Sequence, residues 1–514
     1  MDQPANRNFF YLVFLFTFSI CATWVFAMPV FSGGDETVHA INDYTFYHGN
    51  FLPKLSSIPG KGLPNQYEVS YDYIRGLNGT NWPADGIACY IAQFNNSAKC
   101  DNASLTGKSS GTHLVQNWIS HEPVLPTILT GLPVSLLPNK LGFYGSRLLV
   151  AGFSALFLSI SFTIAYMYRK KILTLMITLA IAPSFFGNSG TLGTSWLEDS
   201  LTVLVCTSLV CLLQEKYSSG WLKHIFLASL GMLALSQATS LLIVGFIGVV
   251  ALFYIRELYD LNFFGSLKDI IFSLMLFMMV SVSAIWLFFI DAPLNPKSAI
   301  IFKKTFGYSF NNSPVEILRV SIKSWNTLWN QMIVGQGWVP SEFLPPQLIS
   351  WLWLAITFLV ILCSICLSSA KTRFLFIVAP ILFFFVPIVY SEIFFPKMGI
   401  GTNNFWLGRY QLPFYMAILI MCSIPISKIS ISSVKSRLIN ILIGFIACLQ
   451  VLNFVFVLHR YTVGTLGAWN ISAWLAGWHP PVGVPILLVL NLLFTALFYS
   501  ILMNNDNENK ITRL

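Results

Sequence analysis

Apolar runs separated by short polar joints dominate this chain. The runs fall at 9–28, 145–167, 172–188, 199–214, 222–236, 238–255, 269–290, 347–368, 375–394, 410–426, 438–458 and 483–503. Most are close to the roughly 20 residues that a helix needs to cross a bilayer. The pattern predicts an all-α integral membrane bundle of about 12 transmembrane helices with large extracytoplasmic loops. The first run lacks a convincing cleavage site and reads as a retained helix. The run at 121–138, HEPVLPTILTGLPVSLLP, is short and rich in proline. Reading it as a span would put Arg169, Lys170 and Lys171 outside, so it is expected to be interfacial or re-entrant.

Short basic joints at 169–171, 371–373 and 428–437 then face the cytoplasm, together with both termini. The expected organisation is a tail and first helix (1–28), a first outer loop (29–144) and helices at 145–290. A second outer loop (291–346) follows, then helices at 347–458 with an outer loop at 394–409. Another outer loop (459–482) precedes the last helix and its cytoplasmic tail (483–514).

Composition sharpens this picture. Of 514 residues, 55% are hydrophobic and 10% charged, and the mean hydropathy is +0.68. Soluble domains carry roughly 25% charged residues. The net charge of +9 therefore reads as a topology signal rather than a nucleic-acid footprint, since no basic cluster interleaves with aromatics. Seven of the nine cysteines lie in apolar segments and read as small hydrophobes. Cys89 and Cys100 sit in a polar loop, where a disulfide implies an oxidising compartment. No zinc-type spacing is present.

Candidate chemistry gathers in the outer segments. GGDETVHAIN at 33–42 places Asp35, Glu36 and His39 just beyond the first span. In a helix Asp35 and His39 share a face, whereas Glu36 points about 100° away. Such a group suits deprotonation of a hydroxyl or binding of Mg²⁺ or Mn²⁺, although these residues also fit a plain polar flank. His121 and Glu122 stand where the first loop returns to the bilayer, as a substrate contact or an interfacial turn. Asp199, beside Glu198, is a substrate-binding candidate or a helix cap. Glu392 lies near the outer end of the 375–394 run. Arg409 and Tyr410 open the 410–426 run, where the arginine fork suits a phosphate or snorkels to headgroups. Trp325, Trp329, Trp338, Trp351 and Trp353 read as belt aromatics, with a sugar platform as the alternative and Trp338 as its substrate-binding candidate.

Five stretches together resemble a family of bacterial polytopic membrane proteins of unknown function grouped with the GT-C glycosyltransferases. GDETVHA (34–40) is similar to its PDEPxH motif, YGSRLLV (144–150) to GRL and WLEDSLT (196–202) to SPDAL. VGQGWVPSEFLP (334–345) resembles LGWLDT-LP, and WLGRYQLPFY (406–415) resembles QGRYxxP. Gly34 and Thr37 replace the first motif's prolines, and Trp-Leu replaces Gln before Gly408. The resemblance covers about residues 9 to 426. It implies a GT-C-like fold in the inner (plasma) membrane with an active site facing the periplasm. It further implies an acidic residue in the first outer loop, Asp35 or the adjacent Glu36, and a polyprenyl-phosphate sugar as donor. Arg409 falls on the family's GRY arginine, and its chemistry suits the donor phosphate. The expected activity is inverting transfer of a hexose to a surface polysaccharide or lipid-linked saccharide. Phage-type O-antigen glucosyltransferases have a comparable build. The competing expectations are a lipid-linked saccharide transporter or flippase, and a polysaccharide polymerase or ligase.

Overall fold

The computed structural model describes residues 4–49, 66–70, 95–99, 112–116, 122–137, 140–214, 220–237, 239–258, 267–285, 325–335, 347–369, 372–381, 408–428 and 433–504. In chain order the elements begin with α1 (Pro4–Ala27), α2 (Glu36–Tyr47), β1 (Gln66–Ser70) and β2 (Thr112–Gln116). Then come α3 (Leu125–Thr130), α4 (Leu132–Leu136), α5 (Lys140–Met167), α6 (Lys171–Ala180), α7 (Pro183–Asn188) and α8 (Ser195–Gln214). The next are α9 (Gly220–Ala234), α10 (Ser240–Leu258), α11 (Leu267–Ile285) and α12 (325–334). The last are α13 (Gln347–Leu367), α14 (Thr372–Ile381), α15 (Gly408–Ile426), α16 (Ser433–Val463), α17 (Ile471–Ala476) and α18 (Val484–Asn504). β1 and β2 form one antiparallel ribbon with Glu68 opposite Leu114. The fold is an all-α membrane bundle.

Each of the twelve apolar runs carries helix. Among the described residues, seven helices are long and apolar enough to cross a membrane: α1, α5, α8, α13, α15, α16 and α18. The single span expected at 172–188 is instead two pieces, α6 and α7. Pro183 at the start of α7 explains the break. It cannot donate to a continuing helix, and it drives the preceding Ala182 into extended backbone (φ −57°, ψ 160°). The carbonyls freed at the break find partners on other helices: Gln450 Nε2 donates to Ile181 O at 2.6 Å, and Tyr415 Oη to Leu179 O at 3.4 Å. The segment 121–138 contributes two short helices, α3 and α4, each with proline near its start.

α8 is the central rod. Its apolar window is wholly buried inside the protein, as expected of a helix that is hydrophobic all round. α5, α9 and α15 pack around it, while α1 lies against α5 and α18. Peripheral faces stay apolar and exposed, as at Phe358, Leu348 and Leu492. Two of the tryptophans expected in an interfacial belt are interior instead. Trp353 is fully buried and its indole N–H donates to Tyr415 Oη at 2.7 Å. Trp329 donates to Ser350 O at 3.0 Å and packs edge-on against Tyr415. Their polar tips have found partners between helices rather than in headgroups.

Candidate active site

The site lies at the end of the bundle where α1 finishes and α5, α8 and α15 begin. Its foundation is Arg147, about two turns into α5. The side chain is fully buried, and all five of its N–H groups are used. Nε and Nη2 grip the two Glu36 oxygens, each at 2.7 Å, in a fork-on-fork pair. The remaining donors reach the carbonyls of Val25 (3.1 Å), Met28 (2.7 Å) and Pro29 (2.7 Å). Those carbonyls surround the C-terminal end of α1, where a helix leaves acceptors unmet and its dipole favours a cation. Glu36 in turn also accepts from Gly33 N (3.0 Å) and Leu192 N (2.8 Å). Four donors saturate this carboxylate at zero exposure, so it locks the α1–α2 turn to α5 and to the loop after α7. It has no lone pair left for an acceptor's proton.

Asp35, one residue earlier, goes elsewhere. It adopts left-handed backbone (φ 60°, ψ 11°) and does not cap its own helix. Among non-glycine residues aspartate tolerates this conformation better than most. Its carboxylate instead pairs with Arg409 Nη2, across 374 residues of chain. Arg409 also donates to Tyr410 Oη at 3.1 Å. α15 can begin so close to α12 because residue 408 is glycine: any Cβ there would collide with the backbone of Met332. Gln331 Oε1 accepts from Gly408 N at 3.1 Å and fixes this start.

A cavity of about 30 Å³, room for about one water or one hydroxyl, gathers these groups. Gly34, His39, Glu122, Asn188, the 191–196 turn, Arg409 and Tyr410 line it. Four sequence-predicted residues therefore meet here: His39, Glu122, Arg409 and Tyr410. Asp35 adjoins them through Arg409. His39 Nδ1 stands 3.9 Å from Glu122 Oε2, too far for a hydrogen bond. Burial lowers the His39 pKa to about 4, outweighing the pull of Asp35. A neutral imidazole, not an ion pair, is the form present at neutral pH. Two N–H donors on lining residues, Arg409 Nε and Trp196 Nε1, are buried without a hydrogen-bond partner among the described residues.

Asp199 does not reach the cavity. It lies in the second turn of α8, wholly buried, so the helix-cap reading is also corrected. Its Oδ2 accepts from Asn188 Nδ2 at 2.9 Å. Neighbouring Glu198 accepts from Thr239 (3.1 Å) and Ser240 (2.8 Å). Asn188, an uncharged amide, gave no signal in the sequence, and Trp196 stood there only as the first residue of WLEDSLT. Arg147 likewise stood only inside a motif, although a cation within an apolar run signals a partner by itself.

His121, Trp338, Glu392 and the pair Cys89 and Cys100 lie outside the described residues. Asp35 and Glu36 do not fit a shared Mg²⁺ or Mn²⁺ site, since each carboxylate is engaged by a different arginine. No group of three His, Cys, Asp or Glu that could hold a metal forms among the described residues.

No protein-family model matches the chain, and no curated protein does. Among solved structures the chain is similar to ArnT from Cupriavidus metallidurans, in a form bound to undecaprenyl phosphate and in an apo form. The bound form has a TM-score of 0.39 at 14% identity, and the likeness covers 96% of this chain and 76% of that one. The apo form has a TM-score of 0.41 at 15% identity with the same coverage.

Proposed function

We propose that the protein is a GT-C-type membrane glycosyltransferase that moves a hexose from a polyprenyl-phosphate donor to a surface polysaccharide, with inversion. The observation that carries this reading is the convergence of Asp35, His39, Glu122, Arg409 and Tyr410 at one end of the bundle, with buried, unmatched N–H donors on Arg409 and Trp196. A phosphate oxygen supplies the acceptor that those donors lack. The lipid tail lies along the apolar helices, which places its phosphate at the helix ends.

Asp35 is the base in this reading. The acceptor's hydroxyl oxygen bonds to the anomeric carbon as the anomeric C–O bond to phosphate breaks. The electron pair leaves with the lipid phosphate, held by Arg409, and the hydroxyl proton passes to Asp35. Asn188 serves as a positioning residue. Asp199 takes its amide N–H, which turns the amide carbonyl oxygen away from Asp199 and toward a substrate hydroxyl. Neutral His39 is a second polar contact for the sugar.

The test is transfer of labelled sugar from polyprenyl-phosphate-glucose to lipopolysaccharide, using membranes with matched amounts of wild type and Asp35→Asn. Transfer by wild type with a loss of about 10² or more in Asp35→Asn supports the reading. No transfer by wild type from any of several lipid-phosphate sugars overturns it. In that event the broken α6–α7 segment favours a flippase, to be read by a lipid-flipping assay.

A further inference from the structure

Away from the catalytic cavity, residues 95–99, the end of α16 and α17 flank an open groove of about 490 Å³. This volume falls in the range of small-ligand sites. We infer that this groove holds the saccharide that receives the sugar, an inference that rests on the glycosyltransferase reading. One wall is Asn95, Asn96, Ser97 and Lys99; the other is the Ala473, Ala476 and Gly477 side of α17.

The walls are fixed rather than incidental. Arg460, buried near the end of α16, donates to Asn96 O at 2.8 Å. Gly464 has φ +87°, and a side chain there would strike the Asn95 carbonyl. Opposite, Trp478 N donates to Thr462 O at 2.8 Å, and Asn470 caps α17 by accepting from Ala473 N at 2.8 Å. Behind α17, His459 and Trp469 stack at 3.8 Å and brace the same segment.

The lining chemistry selects the ligand class. Carboxamides and hydroxyls match the dense donors and acceptors of sugar hydroxyls, and the alanine face accepts the apolar side of a ring. Lys99 adds a cation, and among the described residues no carboxylate lines the groove. A glycan carrying acidic or phosphate substituents therefore fits, whereas an acyl chain does not.

The experiment is calorimetric titration of the full-length protein in lipid nanodiscs with oligosaccharides released from lipopolysaccharide by mild acid. Ala476→Trp fills the groove from an exposed position, and Lys99→Glu reverses its charge. Wild type is expected to bind, with each groove variant weaker by about tenfold or more. Absence of binding to wild type, or unchanged affinity in both groove variants, overturns the assignment. Binding is read without turnover, so a failed transfer assay beside groove-dependent binding would remove the transferase reading and leave the saccharide site.

Discussion

Arg409 and Asp35 hold each other across the mouth of the candidate site. In the proposed reaction this pair must open, because the phosphate that claims the guanidinium displaces the carboxylate. The displaced Asp35 loses its stabilising cation and becomes a stronger base. Donor binding and base activation are then one event.

That coupling predicts opposite effects of Asp35→Asn on two measurements. Turnover falls by about 10² to 10⁴, while polyprenyl phosphate binds more tightly because Arg409 no longer has a competitor. Arg409→Ala weakens binding instead. Equal lipid-phosphate affinity in wild type and Asp35→Asn, measured in nanodiscs, would rule out the competition.

The Asn188–Asp199 bond predicts a rescue. Asn188→Ala lowers kcat/KM by about tenfold, the scale of one lost hydrogen bond in a dry site. Asn188→Asp alone sets two carboxylates against each other. Adding Asp199→Asn restores a donor to the buried side and keeps an oxygen facing the cavity. The double variant is expected to outperform Asn188→Asp alone, and a double variant no better than the single would reject the positioning role.

Glu36→Gln and Arg147→Ala address folding rather than chemistry. Removing one partner of a buried pair costs about 3–5 kcal/mol, because the other charge is left without compensation. Thermal unfolding in detergent is expected to show the loss for both variants. A Glu36→Gln protein of native Tm that transfers no sugar would return the base to residue 36.

Asp43 supplies a pH dependence. It is buried in α2 against Gly131, and burial raises its pKa from 3.8 to about 7, with a Thr127 hydrogen bond opposing. The folded state then holds the proton more tightly than the unfolded chain. This contribution to stability is full below about pH 4, is lost as pH rises toward about 7, and is level above that. Asp43→Asn should flatten that slope in Tm measured from pH 4 to 8; parallel curves for the two proteins would remove Asp43 as its source.

Apolar periodicity made the helices legible, since length and hydropathy are local properties of the chain. It did not reveal the break at Pro183, where carbonyl partners on Gln450 and Tyr415 allow a proline inside a long apolar run. The acidic stretch after α1 was visible, but the division of labour within it was not. Asp35 and Glu36 have the same chemistry and adjacent positions, and a single left-handed residue sends them to different arginines. One of these partners stands 111 residues away and the other 374. No local pattern encodes such distances. Asn188 was equally hidden, because an amide becomes informative only beside the carboxylate that orients it.

The Arg147–Glu36 lock also bears on how such a chain can diverge. Losing either residue strands its partner and several backbone carbonyls, so no single substitution at these positions passes through a well-folded intermediate. Lineages would be expected to rewrite lipid-facing leucines and loop tips freely while inheriting this pair unchanged. In distant descendants it would serve as a fixed registration mark, from which the position of the neighbouring Asp35 could be read when little else still aligns.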